Sequence, residues 1–257
     1  MGQTAEILAD QFGISRIRMD AFALESHRRL ARAQDEGRLE EIAILYGLRG
    51  DYADRDEGLR RDADPSSLAR LKPVFDRSCG SVTAGNSAQI TDGAALVLLA
   101  SRSAVQKYGL KVLGRIRDCQ WAGLDPAHMG LGPVHAMAPI LDRQGLSSGD
   151  VDYWEINEAF AVQVLACLAA WESPAYAREE LGRPAPFDPI DPERLNVDGG
   201  AVALGHPVGS SGARIVLHLL HVLRRNGARR GMASLCIGGG QGGALLLENT
   251  EEVADVA

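Results

Sequence analysis

The sequence has 257 residues, 46% apolar and 24% charged, the balance of a water-soluble globular chain with a sizeable core. A formal net charge of -7 and a pI near 5.4 argue against a nucleic-acid binder, a class that normally carries a basic surplus. No apolar run approaches the ~18–20 residues of a membrane span, and the opening MGQTAEILAD lacks the basic and long apolar regions of a signal peptide, so a cytoplasmic location is expected.

Taken in chain order, 3–12 and 15–36 predict two helices, the second with Ser15 as N-cap and Met19, Phe22, Ala23 and Leu30 at helical spacing. Residues 37–80 are polar and loop-rich, with a short helix opening at Pro65 and ending near Lys72. From Ser81 the texture changes. The apolar run 94–100 reads as a strand buried on both faces, followed by a helix to about Gly109. Residues 112–122 predict a strand, and MGLGPVHAMAPILDRQGL predicts an amphipathic helix stopped by Gly145. Residues 151–156 read as a short strand, 157–171 as an apolar helix, and the Pro-, Glu- and Asp-rich 172–193 as an insertion. A short strand at 195–197 is followed by a helix at 210–225, ended by Asn226-Gly227. Strands at 232–237 and 244–248 are joined by the turn GGGQGG, and the last nine residues, acidic, are expected to fray. The alternation of strands and helices argues for an α/β fold with a mostly parallel or mixed sheet.

The cysteines at 79, 119, 167 and 236 form no CxxC pair, so a zinc ribbon or a thioredoxin-type site is set aside and free, mostly buried thiols are expected. The basic run Arg224, Arg225, Arg229 and Arg230 reads as a solvated helix end. His218 and His221 share a helix but have no third ligand at metal spacing, so no metal site is expected. GGGQGG formally contains GxGxxG, yet a strand rather than a helix follows it, which excludes a dinucleotide fingerprint. GSSG is not the GxSxG of a serine-hydrolase elbow.

Three segments place a reactive side chain where a strand meets a loop or helix. In Asn157-Glu158-Ala159-Phe160-Ala161, local rules alone would make Asn157 an N-cap and Glu158 a first-turn acid. In the glycine-rich 199–214, His206 stands between Gly205 and Pro207 just before a helix, where positioned functional groups concentrate. Cys236 ends an apolar strand and the turn from Gly238 follows. Backbone N–H groups in such a turn can hold an oxyanion and favour a thiolate.

MGQTAE, TAGNSAQITDGAA, MGLGP, NEAFA, GGAVALGHPVGSSGAR and CIGGGQGG, in this order, resemble the thiolases over nearly the whole chain. The insertion at 172–193 and WEINEAFAVQVLACLAAW look closer to the long-chain, fatty-acid-degrading branch. The resemblance implies the thiolase fold, two βαβαβ halves in α-β-α-β-α layers with a CoA-binding loop domain inserted in the first. Residues 1–89 would be part of that loop domain, 90–111 a remnant of the N-terminal half, and 112–257 the C-terminal thiolase domain. The family's nucleophilic cysteine lies upstream of MGxTAE. Cys79 and Cys119 stand in other motifs, so no residue here is assigned to it. The isolated chain is expected to be inactive, the other half coming from a longer native protein or a separate chain.

By the same resemblance the activity is acyl transfer, the thiolytic cleavage of 3-ketoacyl-CoA to acetyl-CoA and a shortened acyl-CoA, or the reverse condensation. Cys236 would exchange a proton with the acetyl methyl carbon, a task suited to a thiol whose pKa can be tuned towards neutrality. His206 would activate the nucleophile and donate to the thioester oxygen, Asn157 would hold a water beside it, and the N–H of Gly238 would serve a second oxyanion hole. Arg60 and Ser67 match CoA-binding positions, with Phe75, Met129 and Phe160 along the pantetheine tunnel. The family's GN-x-S serine is replaced by Ala88, with Ser87 one residue earlier. CoA is a substrate and no cofactor is implied. The expected partners are acyl-CoA and CoA, with no nucleic acid and no membrane, in a homo-oligomer or with the chain that supplies the N-terminal half. The alternatives are a non-catalytic CoA-binding or scaffolding chain and a condensing synthase-type relative; synthases generally lack the second cysteine.

Overall fold

The computed structural model describes residues 1–250. The expected fraying of the acidic tail falls, from residue 251 onward, outside the described residues. The chain forms two compact units. One comprises Met1–Asp92, Glu158–Ala166 and Asn196–Val208, the other Gly93–Asn157, Cys167–Leu195 and the chain from Gly209.

The first unit is built on two helices, α1 (Gly2–Gln11) and α2 (Arg16–Asp35). Ser15 caps α2 as expected, its side chain accepting from the Arg18 N–H at 3.4 Å. Met19, Ala23 and Leu30 form its buried stripe. The polar excursion holds a two-residue hairpin, β1 (Leu45–Tyr46) and β2 (Tyr52–Ala53), and the short α3 (Pro65–Ala69), which ends before the expected Lys72. The Glu6 carboxylate accepts from the N–H groups of Ser81 and Val82, both at 2.9 Å, tying α1 to the turn that follows.

In the second unit, α4 (Arg102–Tyr108) ends at a left-handed Gly109. A four-stranded sheet follows with order β3-β6-β5-β4, formed by β3 (Arg115–Gly123), β4 (Tyr153–Ile156), β5 (Arg230–Ile237) and β6 (Gln241–Glu248). β4 and β5 are parallel; the other pairings are antiparallel. Helix α5 (Gly132–Gln144) stops at Gly145 with φ +64°, the left-handed stop read from the sequence. α5 approaches β6 so closely that a Cβ at Gly242 would overlap the Gly132 carbonyl. Helix α9 (Ser211–Arg225) lays Leu219 over Gly231 of β5. Between β4 and β5 in sequence come α6 (Ala161–Glu172), whose residues to Ala166 belong to the first unit, α7 (Pro174–Glu179) of the second unit and α8 (Ala201–Leu204) of the first. Trp171 meets Trp154 edge-on, its ring centroid 5.8 Å away, and stacks on Phe187 at 4.1 Å. The insertion at 172–193 is thus partly helical and packed rather than a bare excursion. Among the described residues no helix is long and apolar enough to cross a membrane.

Several sequence expectations need correction. Residues 94–100 form no strand, and Leu96, Leu98 and Leu99 are 82%, 73% and 72% exposed. A strand apolar on both faces forms only between neighbours that supply hydrogen bonds and cover, and no described strand pairs with it. Residues 195–197 reduce to a single bridge between Leu195 and Trp154. The thiols divide evenly: Cys167 and Cys236 are buried, Cys79 and Cys119 exposed. The basic run is not simply solvated, since Arg224 donates to the Val112 carbonyl at 2.8 Å and Arg230 pairs with Glu248 at 3.2 Å.

Candidate functional site

In the second unit, the carboxyl ends of the parallel strands β4 and β5 bring two of the candidates onto neighbouring strands. Ile156 pairs with Ser234, and the next N–H, that of Asn157, donates to the Ser234 carbonyl at 2.9 Å. Cys236 lies two positions further along β5, opposite Gly242 of β6. Both side chains are buried. This is the end of a parallel pair at which α/β sheets bind ligands. The reading of Asn157 as an N-cap fails, as does the expected helix start there, because α6 begins only at Ala161. The carboxamide is left inside the protein rather than spent on a helix end.

The electrostatics of Cys236 reverse another expectation. Burial pushes its thiol up to about 12, and the opposing effect of its own backbone is smaller. The residue is therefore held as the neutral thiol, not tuned towards a thiolate, because desolvation outweighs the bond from its own backbone. Gly238 is exposed at the turn into β6. That turn needs positive φ at Gly239 (+88°) and Gly240 (+85°), and the Gly240 carbonyl accepts from the Leu124 N–H at 2.8 Å. Met129 is buried in the 3-10 turn Pro126–Leu131.

In the first unit the extended segment 86–89 organises the rest. The Ala88 N–H donates to the Ala159 carbonyl at 3.1 Å, the Ala161 N–H to the Asn86 carbonyl at 2.9 Å, and Ser87 bridges Phe160. At its far end the Gln89 carbonyl accepts from the His206 N–H at 2.8 Å. One short segment thus anchors the start of the NEAFA helix and the His206 loop. Phe75 meets Phe160 edge-on, with ring centroids 6.0 Å apart, so Phe75, Ser87 and Phe160 are brought together. The Ser87 hydroxyl donates to the Thr83 carbonyl at 2.7 Å. His206 itself is half-buried.

Among the described residues, neither Arg60 nor Ser67 has a hydrogen bond or ring contact with that cluster. Ser67 closes a capping box with Asp64, whose carboxyl is lowered to about 2 first by the Ser66 hydroxyl and then by the Ser67 and Ser66 N–H groups. The exposed Arg60 donates its backbone N–H to His27 Nδ1 at 3.2 Å. Burial first, and the Arg60 charge second, hold His27 below the usual imidazole range. The sequence reading missed Gln89, which carries no motif of its own. It also took Glu158 for a first-turn acid of a helix, although α6 begins only at Ala161 and the carboxylate is buried. The one signal for that burial is its place beside Asn157 in a run otherwise apolar.

With this geometry in hand, comparison with known proteins gives a consistent result. The family model for the thiolase C-terminal domain matches residues 110–249 and that for the thiolase N-terminal domain matches 1–103. The chain is 45% identical over 258 aligned positions to peroxisomal 3-ketoacyl-CoA thiolase B of Rattus norvegicus, covering 96% of this chain and 57% of the relative. Among solved structures it is similar to human mitochondrial 3-ketoacyl-CoA thiolase, with TM-score 0.84 and 39% identity, over 97% of this chain and 59% of that one. The same human enzyme in complex with CoA matches with TM-score 0.82 and 38% identity, over the same shares of the two chains. The chain therefore spans less than two thirds of the length of these relatives, and it has the thiolase fold.

Proposed function

The chain belongs to the thiolase family, and from that premise we propose that it supplies the proton-transfer and oxyanion groups of a 3-ketoacyl-CoA thiolase. The observation that carries the reading is that Asn157, directly after β4, and Cys236, near the end of its parallel neighbour β5, stand at the carboxyl ends of the same strand pair.

In the proposed reaction a thiolate outside the residues assigned here attacks the ketone carbon of 3-ketoacyl-CoA. His206 forms that thiolate beforehand by taking the thiol proton, and so protonated it donates to the substrate thioester oxygen, with a water held by Asn157 as the second donor. The bond between the second and third acyl carbons breaks, and its electron pair passes to the leaving acetyl-CoA enolate. Cys236 gives its proton to that carbon and becomes a thiolate. Incoming CoA gives its thiol proton to that Cys236 thiolate, and the CoA thiolate so formed takes the acyl group and releases the acylated nucleophile as thiolate, with the Gly238 N–H stabilising the oxyanion formed there. A thiol pushed up to about 12 suits the donor step, because it rests protonated at neutral pH. Phe75, Phe160 and Ser87 form one wall for the pantetheine arm, with Met129, Arg60 and Ser67 as further CoA contacts; the meeting of the two rings supports the first part.

We infer also that the second unit takes up further polypeptide from the first thiolase half. It carries a cavity of about 760 Å³ walled by Leu96, Leu98, Trp121, Val216 and Leu245. Trp121 is 67% exposed. Open apolar surface of this kind marks an interaction site. The test is acetoacetyl-CoA thiolysis by the chain alone and co-expressed with a thiolase N-terminal half. The expected result is turnover only in the assembled form and only with Cys236 intact. Robust turnover by the chain alone would overturn the two-part account, and a stable complex that binds CoA without turnover would leave a CoA-binding scaffold instead.

A further inference from the structure

The buried carboxylate of Glu158 is used by no step above, yet it gathers several donors. Its Oε2 accepts from Ser26 Oγ at 2.7 Å and from the Val202 N–H at 3.2 Å, and its Oε1 accepts from Asn196 Nδ2 at 2.9 Å. Ser26 Oγ in turn accepts from the Gly200 N–H at 3.0 Å. One side chain therefore joins the middle of α2 to both ends of the turn that leads into α8.

The turn is shaped around that carboxylate. A Cβ on Gly200 would overlap the Glu158 carboxyl group, and one on Gly199 would stand 2.9 Å from the Leu30 N–H nitrogen, against the α2 backbone. Asn196, at φ +46°, is the only non-glycine residue of positive φ among those described, and its side chain makes one of the three bonds. Such a conformation persists only where the surroundings fix it. The chain then runs from Val202 through α8 to Gly205 and His206, whose N–H is fixed on Gln89 at 2.8 Å. The loop that presents the imidazole is thus held at its far side by segment 86–89 and at its near side by Glu158.

We propose that Glu158 is a positioning residue for His206, acting through the turn at 196–202. The proposal rests on the thiolase reading for its catalytic meaning, though not for its test. A carboxylate fits because it offers acceptors only, and three donors converge on it. An amide in its place sets an NH2 against one of those donors.

The test uses the 257-residue chain, 15N-labelled, with the His206 ring signals assigned by their loss in His206→Asn. In Glu158→Gln the ring's titration midpoint moves by about 0.5 pH unit or more, and the Gly200 and Val202 amides exchange at least about tenfold faster. Glu158→Asp, which keeps the acceptors on a shorter arm, recovers part of both effects. Glu155, equally buried in the other unit, is the control, and Glu155→Gln leaves the His206 titration in place. A folded Glu158→Gln whose His206 midpoint and exchange match wild type overturns the proposal, as does an equal shift in Glu155→Gln. Should Glu158→Gln not fold, Ser26→Ala decides: a smaller shift in the same direction supports the proposal and no shift overturns it. In the assembled enzyme Glu158→Gln lowers kcat about 10- to 100-fold with KM within about twofold. The titration needs no turnover, so a shifted His206 in a complex without thiolysis would sink the thiolase reading and leave this one standing.

Discussion

Cys236 gives the sharpest chemical prediction, because its environment fixes a reactivity opposite to that of a typical catalytic thiol. With the thiol pushed up to about 12, the thiolate fraction at pH 8 is ~10⁻⁴, against ~0.2 for an unperturbed thiol of pKa ~8.5. The population term alone slows alkylation by roughly 2000-fold. The more basic thiolate is intrinsically more nucleophilic, and a Brønsted slope of ~0.45 over ~3.5 units returns about 40-fold. The net expectation is a rate constant about 50-fold below that of an unperturbed cysteine in a short blocked peptide, before any steric shielding by the surrounding protein. Iodoacetamide labelling followed by peptide mapping reads each cysteine separately. Between pH 7 and 10 the Cys236 rate should keep rising about tenfold per pH unit, where an ordinary thiol levels off above ~8.5. A plateau at or below pH 8.5, or Cys236 as the fastest-labelled site, would refute the account of burial as the dominant influence.

Three further outcomes follow from packing and charge. His27, held below the usual imidazole range by burial and by Arg60, binds its proton more readily unfolded than folded, so stability at neutral pH is lost as pH falls through ~6.5, by up to ~1.4 kcal/mol per pH unit. His27→Asn, which keeps an acceptor for the Arg60 N–H, should flatten the Tm curve between pH 7.5 and 5.5, and an unchanged curve would contradict the assignment. Phe187→Ala removes the ring stacked 4.1 Å from Trp171 and should cost about 3 kcal/mol in urea unfolding; a loss under ~1 kcal/mol would mean that the stack contributes little. Gly242→Ala drives a methyl group into the Gly132 backbone and should destabilise by about 2–3 kcal/mol, with a change below ~0.5 kcal/mol refuting the close approach of α5 and β6.

Elements governed by local chemistry were legible in the sequence. Ser15 opens α2, Gly145 closes α5, and Asn226-Gly227 follows α9. The glycine turn between β5 and β6 needs its positive φ values at Gly239 and Gly240. What long-range neighbours decide was not legible. The apolar run 94–100 has the composition of a buried strand, but pairing partners make a strand, and this segment has none among the described residues. Asn157 has the identity of an N-cap, yet the bond of its N–H to Ser234 continues the β4–β5 ladder and delays the helix to Ala161. Glu158 looked like a first-turn acid because its partners, Ser26 and Asn196, are distant in sequence. Cys236 illustrates the same limit in electrostatics: the adjacent glycines are visible in sequence, but the burial that dominates its pKa is not.

The central claim is that a thiol, an imidazole and a carboxamide carried by separate loops act on one thioester. Groups acting as a unit show non-additive losses. Thiolysis by the assembled enzyme should fall at least about 100-fold in Cys236→Ser and in His206→Asn taken singly, with the double variant little worse than either. Losses that multiply in the double variant, or single losses of less than about threefold, would show that these residues do not share a reaction centre.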